Sequence, residues 1–218
     1  MWINIHTHHP TKEPNVVEIV NKFPEDMVAE NEFFSVGIHP WYIHEDVQKQ
    51  FDLVVEKAQS AKCLAIGECG LDKLSKIPMD KQKEVFMQHI DLAQKLNRPL
   101  IIHCVRAYQE LIAVCSSKKI TVPMIIHGFA KNATLANQLY QNGFYLSFGK
   151  MMSHSPNLQE AFKNYPDDRL FLETDDAEID IESVYGMGEK IKNKCLKNQL
   201  KDNLNHVFRL NLQPNLKK

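Results

Sequence analysis

The chain alternates short apolar runs with longer stretches of helical periodicity, and this repeated pattern constrains its fold more than any other feature. Eight runs of four to six residues lie at 2–5, 16–20, 33–38, 63–67, 99–103, 123–127, 144–148 and 170–173. Unbroken apolar strands between helices are typical of a parallel sheet that is covered on both faces. Eight such units predict an α/β fold of the (β/α)8 TIM barrel type, with an open doubly wound sheet of fewer strands as the alternative.

Apolar residues at helical spacing predict individual helices between the runs. A helix over 80–96 has Asp80 in position to cap its start, because an aspartate side chain accepts hydrogen bonds from the first turn of a helix. A later helix is expected to stop at Gly143, where a left-handed residue would close it. The C-terminal stretch 180–210 has a helical pattern throughout.

The first part of the barrel is predicted to be short. Residues 9–32, which are 24 residues, separate His8 from Phe33, and two full strand–helix units need more chain than that. We therefore expect the first two β/α units to be trimmed and the helix after the first strand to be lost, which would leave a more open cleft.

Composition limits the class of protein. With 218 residues, 44% hydrophobic and 24% charged, the chain is expected to form one globular domain over 1–218. The net charge of −1 argues against a general nucleic-acid coating protein and against a strongly basic membrane binder. Five scattered cysteines without a CxxC pair favour a reducing, cytoplasmic location, and neither a membrane span nor a signal peptide is expected.

Polar residues that can bind metal ions stand at the ends of several predicted strands. They are His6, His8, Glu68, His103, His127 and Asp175. The carboxyl ends of the strands of a parallel barrel meet at one rim, so these side chains are expected to lie together. A single histidine is more often an ordinary core or surface residue, and His89, inside a helix, suits a partly buried side chain. The joint pattern predicts a metal site, and its mixture of nitrogen and oxygen ligands suits Zn²⁺ or Mn²⁺ better than Mg²⁺.

The motifs around these residues resemble those of the TatD-related metal-dependent hydrolases, within the amidohydrolase-like superfamily of barrels. The matching pieces are NIHTHHP (4–10), SVGIHPW (35–41), LAIGECGLD (64–72), PLIIHCVRA (99–107), IIHGF (125–129), GFYLSFG (143–149) and LFLETDD (170–176). The resemblance implies two divalent ions. In that arrangement one ion is held by His6, His8 and Asp175, the second by His103 and His127, and Glu68 bridges them. Members of the family are described as metal-dependent deoxyribonucleases, some of them exonucleases.

The chain also departs from the family pattern. Asn4 stands where the family usually has an aspartate, and Arg106 is shifted one place from the usual arginine. If strand geometry persists, the shift turns Arg106 away from the position in which the family arginine would contact a phosphate. The loop after the last strand is also shortened.

Two ions that share a water would lower its pKa from near 15.7 towards roughly 7, and the resulting hydroxide could attack phosphorus or a carbonyl carbon. We expect Asp175 to act as general base and Glu68 to act on the reaction through its bridging charge. His39 and Arg106 are the candidates for substrate contact. Glu173 either orients a ligand histidine or is structural.

Cleavage of a phosphodiester is the leading interpretation, with DNA ends or a small phosphoester as the substrate and exonucleolytic cleavage as one form of the activity. The expected rim loops carry basic and aromatic residues that could contact a backbone or stack on bases, namely Lys73, Lys76, Arg106, Lys131, Lys150, Trp41, Tyr42, Tyr108 and Phe129. A small-molecule amidohydrolase or lactonase on the same metals is the alternative enzyme, and a non-catalytic metal-binding barrel is the third interpretation. No obligate protein partner is evident.

Overall fold

The computed structural model describes residues 1–210, whose eight strands form one parallel sheet in chain order. The strands are β1 (Trp2–Thr7), β2 (Val16–Lys22), β3 (Phe34–Val36), β4 (Cys63–Asp72), β5 (Leu100–Val105), β6 (Met124–Ile126), β7 (Phe144–Phe148) and β8 (Leu170–Leu172). Each strand pairs with the next, and all eight predicted runs are strands. The prediction of a (β/α)8 barrel is confirmed. The single domain predicted for 1–218 includes residues 211–218, which lie outside the described residues.

The sheet closes on itself at the rim, where β1 meets the chain just after β8. The amide of Asp175 donates to the carbonyl of His6 at 3.0 Å, and the amide of His8 donates to the carbonyl of Asp175 at 3.0 Å. A single parallel bridge between Thr7 and Asp175 accompanies these bonds. The barrel is therefore nearly closed, and its closure brings the first and last predicted ligands together.

Helices cover the barrel from the third strand onwards. They are α1 (Val47–Lys57), α2 (Met79–Leu96), α3 (Tyr108–Ser117), α4 (Ala133–Gln141), α5 (Pro156–Asn164), α6 (Ile181–Lys192) and α7 (Lys197–Phe208), with 3-10 turns at Lys150–Ser153 and Asp167–Arg169. The connections β1–β2 and β2–β3 contain no helix. The predicted trimming is confirmed, and it removes the helix after the second strand as well as the one after the first. Within residues 1–210, none of the helices combines the length and the apolar character that crossing a membrane requires.

Two of the predicted helix boundaries were wrong. Helix α2 begins at Met79 after Pro78, and the side chain of Asp80 makes no capping bond because it already lies in the first turn. The stretch 180–210 is not one helix, because Asn193 takes a left-handed conformation (φ 53°) and ends α6. Gly143 behaves as predicted, since it follows α4 with φ 82°.

Strand β4 is longer than the apolar run that predicted it, so that Glu68 lies inside the strand and not after it. Gly67 and Gly70 have φ values of 141° and 146° and lie against β5. A Cβ on Gly67 would come within 2.2 Å of the carbonyl oxygen of Ile101, and one on Gly70 within 2.0 Å of that of His103. Only glycine allows this approach, which places Glu68 and His103 side by side.

Candidate metal centre

Glu68 lies at the centre of the cluster, and histidines surround both of its carboxylate oxygens. Its side chain is buried at the rim end of the barrel. Oε2 lies 3.6 Å from Nε2 of His6 and 3.7 Å from Nε2 of His8. Oδ1 of Asp175 lies 3.4 Å and 3.5 Å from the same two nitrogens. The structure thus brings together the four residues that the resemblance assigns to the first ion.

The other oxygen of Glu68 faces a second group of histidines. Oε1 lies 2.8 Å from Nε2 of His127, 2.9 Å from Nδ1 of His103 and 3.3 Å from Nε2 of His39. His39, which was expected to support a ligand or to contact substrate, lies as close to Glu68 as the predicted ligands do.

The donor atoms fit a metal ion. Three groups each offer ligand atoms within 4.8 Å of one another: His6, His8 and Glu68; His6, His127 and Asp175; and His39, Glu68 and His103. His6 is fully buried, and among residues 1–210 neither of its ring nitrogens has a hydrogen-bond partner. A buried polar atom without a partner is costly, and an ion bound to the Nε2 atom would remove that cost. His127 occurs in one group with His6 yet also contacts Glu68, so it can serve either ion.

The charges in the cluster are strongly coupled. Burial raises the pKa of Glu68, but the surrounding histidines, with His127 foremost, more than offset this and hold the pKa well below its ordinary range. Burial likewise lowers the pKa of His127, and the carboxylates of Glu68 and Glu173 reverse this and raise it well above its ordinary value. Burial raises the pKa of Asp175, but the imidazoles of His6, at 3.4 Å, and of the nearby His127 outweigh this effect and lower the pKa to about 2. Both carboxylates are therefore ionised at neutral pH.

A network of polar side chains fixes the chain around Asp175. The side-chain NH₂ group of Asn4 donates to the hydroxyl of Thr174 at 2.9 Å. The side-chain oxygen of Asn4 accepts from the backbone amide of Thr174 at 3.1 Å. Thr174 in turn donates to the hydroxyl of Thr7 at 3.1 Å. An ionised aspartate could not donate to Thr174, so the asparagine at position 4 suits this network. The network ties β1 to the segment that carries Asp175, which has a left-handed backbone (φ 53°).

Two further residues support the ligands directly. Glu173 accepts from the amide of Gly128 at 2.7 Å, and its Oε1 lies 3.5 Å from Nδ1 of His127. Of the two roles left open for Glu173, the structure favours orienting a histidine. Asn21 accepts from the backbone amide of Glu68 at 3.0 Å and was missed by the sequence analysis. The sequence feature that could have identified Asn21 is its place as a polar residue in the largely apolar strand β2.

The predicted substrate contacts divide into exposed and buried groups. Trp41 and Tyr42 are about half exposed beside His39, as a stacking surface would be. Phe129 is buried, so the expectation that it stacks on bases was wrong. Its ring instead packs in the apolar interior beneath the rim. Arg106 is exposed directly after β5 with φ 54°.

The structure adds detail to one rim lysine and corrects one histidine. Lys73, which could contact a phosphate backbone, forms an ion pair with Glu110 at 2.6 Å. His89 is fully buried and not partly buried, and its Nε2 accepts from the amide of Ile38 at 2.9 Å. This bond fixes the residue next to His39, so His89 supports the cluster from beneath.

Comparison with known proteins identifies the family. A family model described as TatD related DNase matches residues 3–206. The metal-dependent hydrolase YabD of Bacillus subtilis is 34% identical over 156 residues, which are 69% of this chain and 61% of YabD. YcfH of Escherichia coli, also a metal-dependent hydrolase by name, is 33% identical over 159 residues, which are 69% of this chain and 58% of YcfH. The chain thus covers about six-tenths of the length of these relatives.

Solved structures share the fold. The TatD homolog YjjV of Escherichia coli superposes with a TM-score of 0.83 at 18% identity, over 96% of this chain and 98% of YjjV. A TatD family hydrolase of Entamoeba histolytica gives a TM-score of 0.76 at 17% identity, over 96% of this chain and 98% of that one. From the family match over nearly the whole chain, we conclude that this protein is a member of the TatD-related DNase family.

Proposed function

We propose that the protein is a divalent-metal-dependent hydrolase that cleaves phosphodiester bonds, with the end of a DNA strand as its leading substrate. The observation that carries this proposal is the position of Glu68, whose two carboxylate oxygens face two different groups of histidines. A bridging carboxylate between two ions is an arrangement suited to phosphoester hydrolysis. The family description, and the hydrolase names of the relatives, support the same class of reaction.

Each group of residues suits one ion. The first would be held by His6, His8 and Asp175, and the second by His103 and His127 with His39 beside them. Imidazole with carboxylate favours Zn²⁺ or Mn²⁺. When bound, such ions supply Lewis acidity, which activates water at neutral pH and stabilises negative charge that develops on a phosphate.

The protein's own groups have distinct tasks in this proposal. Asp175 has an ionised side chain that is about one-third exposed at the rim, so it can accept the proton of an attacking water. Glu68 is buried and holds the two groups of ligands in register. Glu173 keeps the His127 ring oriented through its Nδ1.

The rim offers a place for the substrate beside the ligands. A hollow of about 230 Å³ lies next to His39, and Phe23 and Tyr42 line it with their rings 5.3 Å apart and perpendicular. Aromatic walls bind unpaired bases by stacking and tolerate any base sequence. Within residues 1–210, no helix follows β1 or β2, so this side of the rim has fewer covering elements than the remainder. A strand end is therefore a suitable substrate.

A small-molecule amidohydrolase or lactonase is the second candidate, and the shortage of basic side chains near the cluster favours it. Within residues 1–210, Arg98, Arg169 and Arg209 contact carbonyls, an aromatic ring or a side-chain amide away from the metal ligands. That leaves Arg106 as the arginine at the rim. A general DNA-binding surface would carry more positive charge.

Salt dependence distinguishes the two candidates. We expect turnover of a single-stranded oligonucleotide to fall with added salt more steeply than turnover of bis(p-nitrophenyl) phosphate, because only the oligonucleotide releases counterions along its backbone. Arg106→Ala should weaken binding of the oligonucleotide and leave the small ester nearly unchanged. Arg209→Ala, which removes the same charge beside Asn97 at the other end of the barrel, is the matched control.

Turnover of both substrates could show the same salt dependence, and Arg106→Ala could leave the kinetics of both unchanged. Those results together would reject the nucleic-acid substrate and favour the small-molecule hydrolase. Turnover of amides or lactones would then be measured with the same zinc-loaded protein. Absence of any turnover by metal-loaded protein would favour the non-catalytic barrel.

A further inference from the structure

Asp72 is a buried carboxylate beside the cluster that the predicted ligand set does not include. Its Oδ2 accepts from the indole Nε1–H of Trp41 at 2.6 Å and lies 3.0 Å from Nε2 of His103. Its Oδ1 accepts from the amide of Leu74 at 2.7 Å. The side chain is about 2% exposed, so these contacts, and not water, satisfy its charge.

The backbone of Asp72 is fixed as firmly as its side chain. The amide of Asp72 donates to Oε1 of Gln82 at 2.7 Å, and Nε2 of Gln82 donates to the carbonyl of Asp72 at 3.0 Å. Gln82 is itself buried in α2. Helix α2 thus fixes the backbone of Asp72 through Gln82, and Oδ2 of Asp72 faces the metal cluster at His103.

This geometry selects one tautomer of His103. A carboxylate only accepts hydrogen bonds, and both oxygens of Asp72 already face N–H donors, Oδ1 the amide of Leu74 and Oδ2 the indole of Trp41. Nε2 of His103 must therefore carry a proton. A neutral ring then has its lone pair on Nδ1, which faces Oε1 of Glu68 at 2.9 Å. Two acceptor atoms that face each other at this distance repel unless a cation lies between them.

We propose that Asp72 is the positioning residue that makes Nδ1 the ligand atom of His103, and that Trp41, by donating to Asp72, connects the exposed rim to that ligand. The inference rests on the metal centre of the proposed function. Trp41 is about half exposed, so one edge of its indole ring bonds to the buried carboxylate while the remainder faces solvent. A group that packs on Trp41 would therefore contact the side chain that donates to Asp72, and Asp72 in turn holds the metal ligand His103.

Asp72→Asn tests the proposal without changing side-chain size. An asparagine offers one acceptor oxygen where Asp72 offers two, and an amide accepts more weakly than a carboxylate. With that oxygen on Leu74, its NH₂ group would face Nε2 of His103 and move the ring proton to Nδ1, where it blocks metal binding. With the oxygen on His103, the Nε2 proton loses the charge that holds it in place. We expect zinc to bind about 10- to 100-fold more weakly. Trp41→Phe keeps an aromatic ring but loses the N–H, so a smaller loss of about threefold to tenfold is expected.

The direct readout is the ¹⁵N spectrum of histidine in the zinc-loaded protein, because nitrogen shifts distinguish a metal-bound nitrogen from a protonated one. His103→Gln identifies the His103 signals by their disappearance. We expect zinc on Nδ1 and a proton on Nε2 in the wild-type protein. Asp180→Asn, which removes a carboxylate from the exposed N-cap of α6, should change neither this spectrum nor the zinc affinity.

Fluorescence gives a second readout, because the chain has two tryptophans and Trp2→Phe leaves Trp41 as the single emitter. Zinc should change its emission, and adding Asp72→Asn should abolish that change. Zinc bound through Nε2 of His103, or wild-type affinity in a folded Asp72→Asn variant, would overturn the positioning role while the metal centre stands. Failure of the wild-type protein to bind zinc at all would instead overturn the proposed function and this inference with it.

Discussion

Asp175 combines a left-handed backbone, an ionised carboxylate and partial exposure at the rim. Its backbone is held by bonds to β1 that do not involve its side chain. Asp175→Asn should therefore leave the fold intact and lower the rate at least about 10²-fold, since the substitution removes the proton acceptor at the reacting water.

The rate would be measured with zinc content determined on the same sample, so that loss of metal is not mistaken for loss of the base. His154→Ala, at an exposed histidine away from the cluster, is the control and should have no effect. Full turnover by Asp175→Asn with wild-type metal content would assign the general base to another group.

Protons should leave the cluster when metal enters it. Carboxylates raise the pKa of His127 well above its ordinary value, so it is protonated at pH 7 and must lose that proton to bind an ion. We expect release of at least about one proton per chain at pH 7, and metal affinity that increases with pH until His127 is neutral. Calorimetric titration with zinc in two buffers of different ionisation enthalpy measures the release.

Glu173→Gln removes one of the two carboxylates that raise the pKa of His127, so it should reduce the number of protons released. Glu178→Gln, on the exposed loop that follows Asp175, offers a control of the same chemistry. Zinc binding without proton release at pH 7 would show that His127 is neutral before the ion binds.

At the scale of elements, helix α2 supports the site through His89. The ring is buried and neutral, with Nδ1 donating to the carbonyl of Val85 at 2.8 Å and Nε2 accepting from the amide of Ile38. Burial lowers its pKa from 6.5 to about 4. A lowered pKa in the folded state means that its contribution is present above pH 6.5 and is lost as the pH falls from 6.5 towards 4.

His89 should therefore account for about 2 kcal/mol of the stability lost between pH 7 and pH 5. His89→Gln keeps an acceptor for Ile38 but does not titrate, so its loss of stability over this range should be smaller by that amount. Urea unfolding at both pH values, with chelator present, provides the free energies of unfolding. His154→Gln should behave as the wild-type protein, and an equal pH slope in the His89 variant would contradict the assignment.

The elements that sequence predicted best are those whose signal is local. Apolar runs identify all eight strands, and polar residues at their ends identify the cluster, because strand ends in a parallel barrel meet by geometry. Asn21 and Asp72 were not predicted as part of the site, since their roles depend on neighbours distant in sequence. The end of α6 at Asn193 was not predicted, because the helical spacing of apolar residues continues past it. The left-handed conformation of Asn193 is what interrupts the helix.

At the scale of the whole molecule, the cluster joins the first and last strands of the barrel at one rim. Its side chains come from β1, β4 and β5 and from the segments after β1, β3, β6 and β8, so no single element could hold an ion alone. Binding of metal to the folded chain should therefore stabilise the barrel as a unit, by about 2.7 kcal/mol at a free concentration 100 times the Kd.

We propose that Glu68 separates two ion sites, one at each of its carboxylate oxygens. The most direct test is the zinc content per chain after equilibrium dialysis, measured by elemental analysis for the wild-type protein and for Glu68→Gln. We predict two ions per wild-type chain, and fewer in the variant, because an amide cannot supply negative charge to both sites. Fewer than two ions per wild-type chain, or two ions in both proteins, would show that Glu68 does not separate two sites.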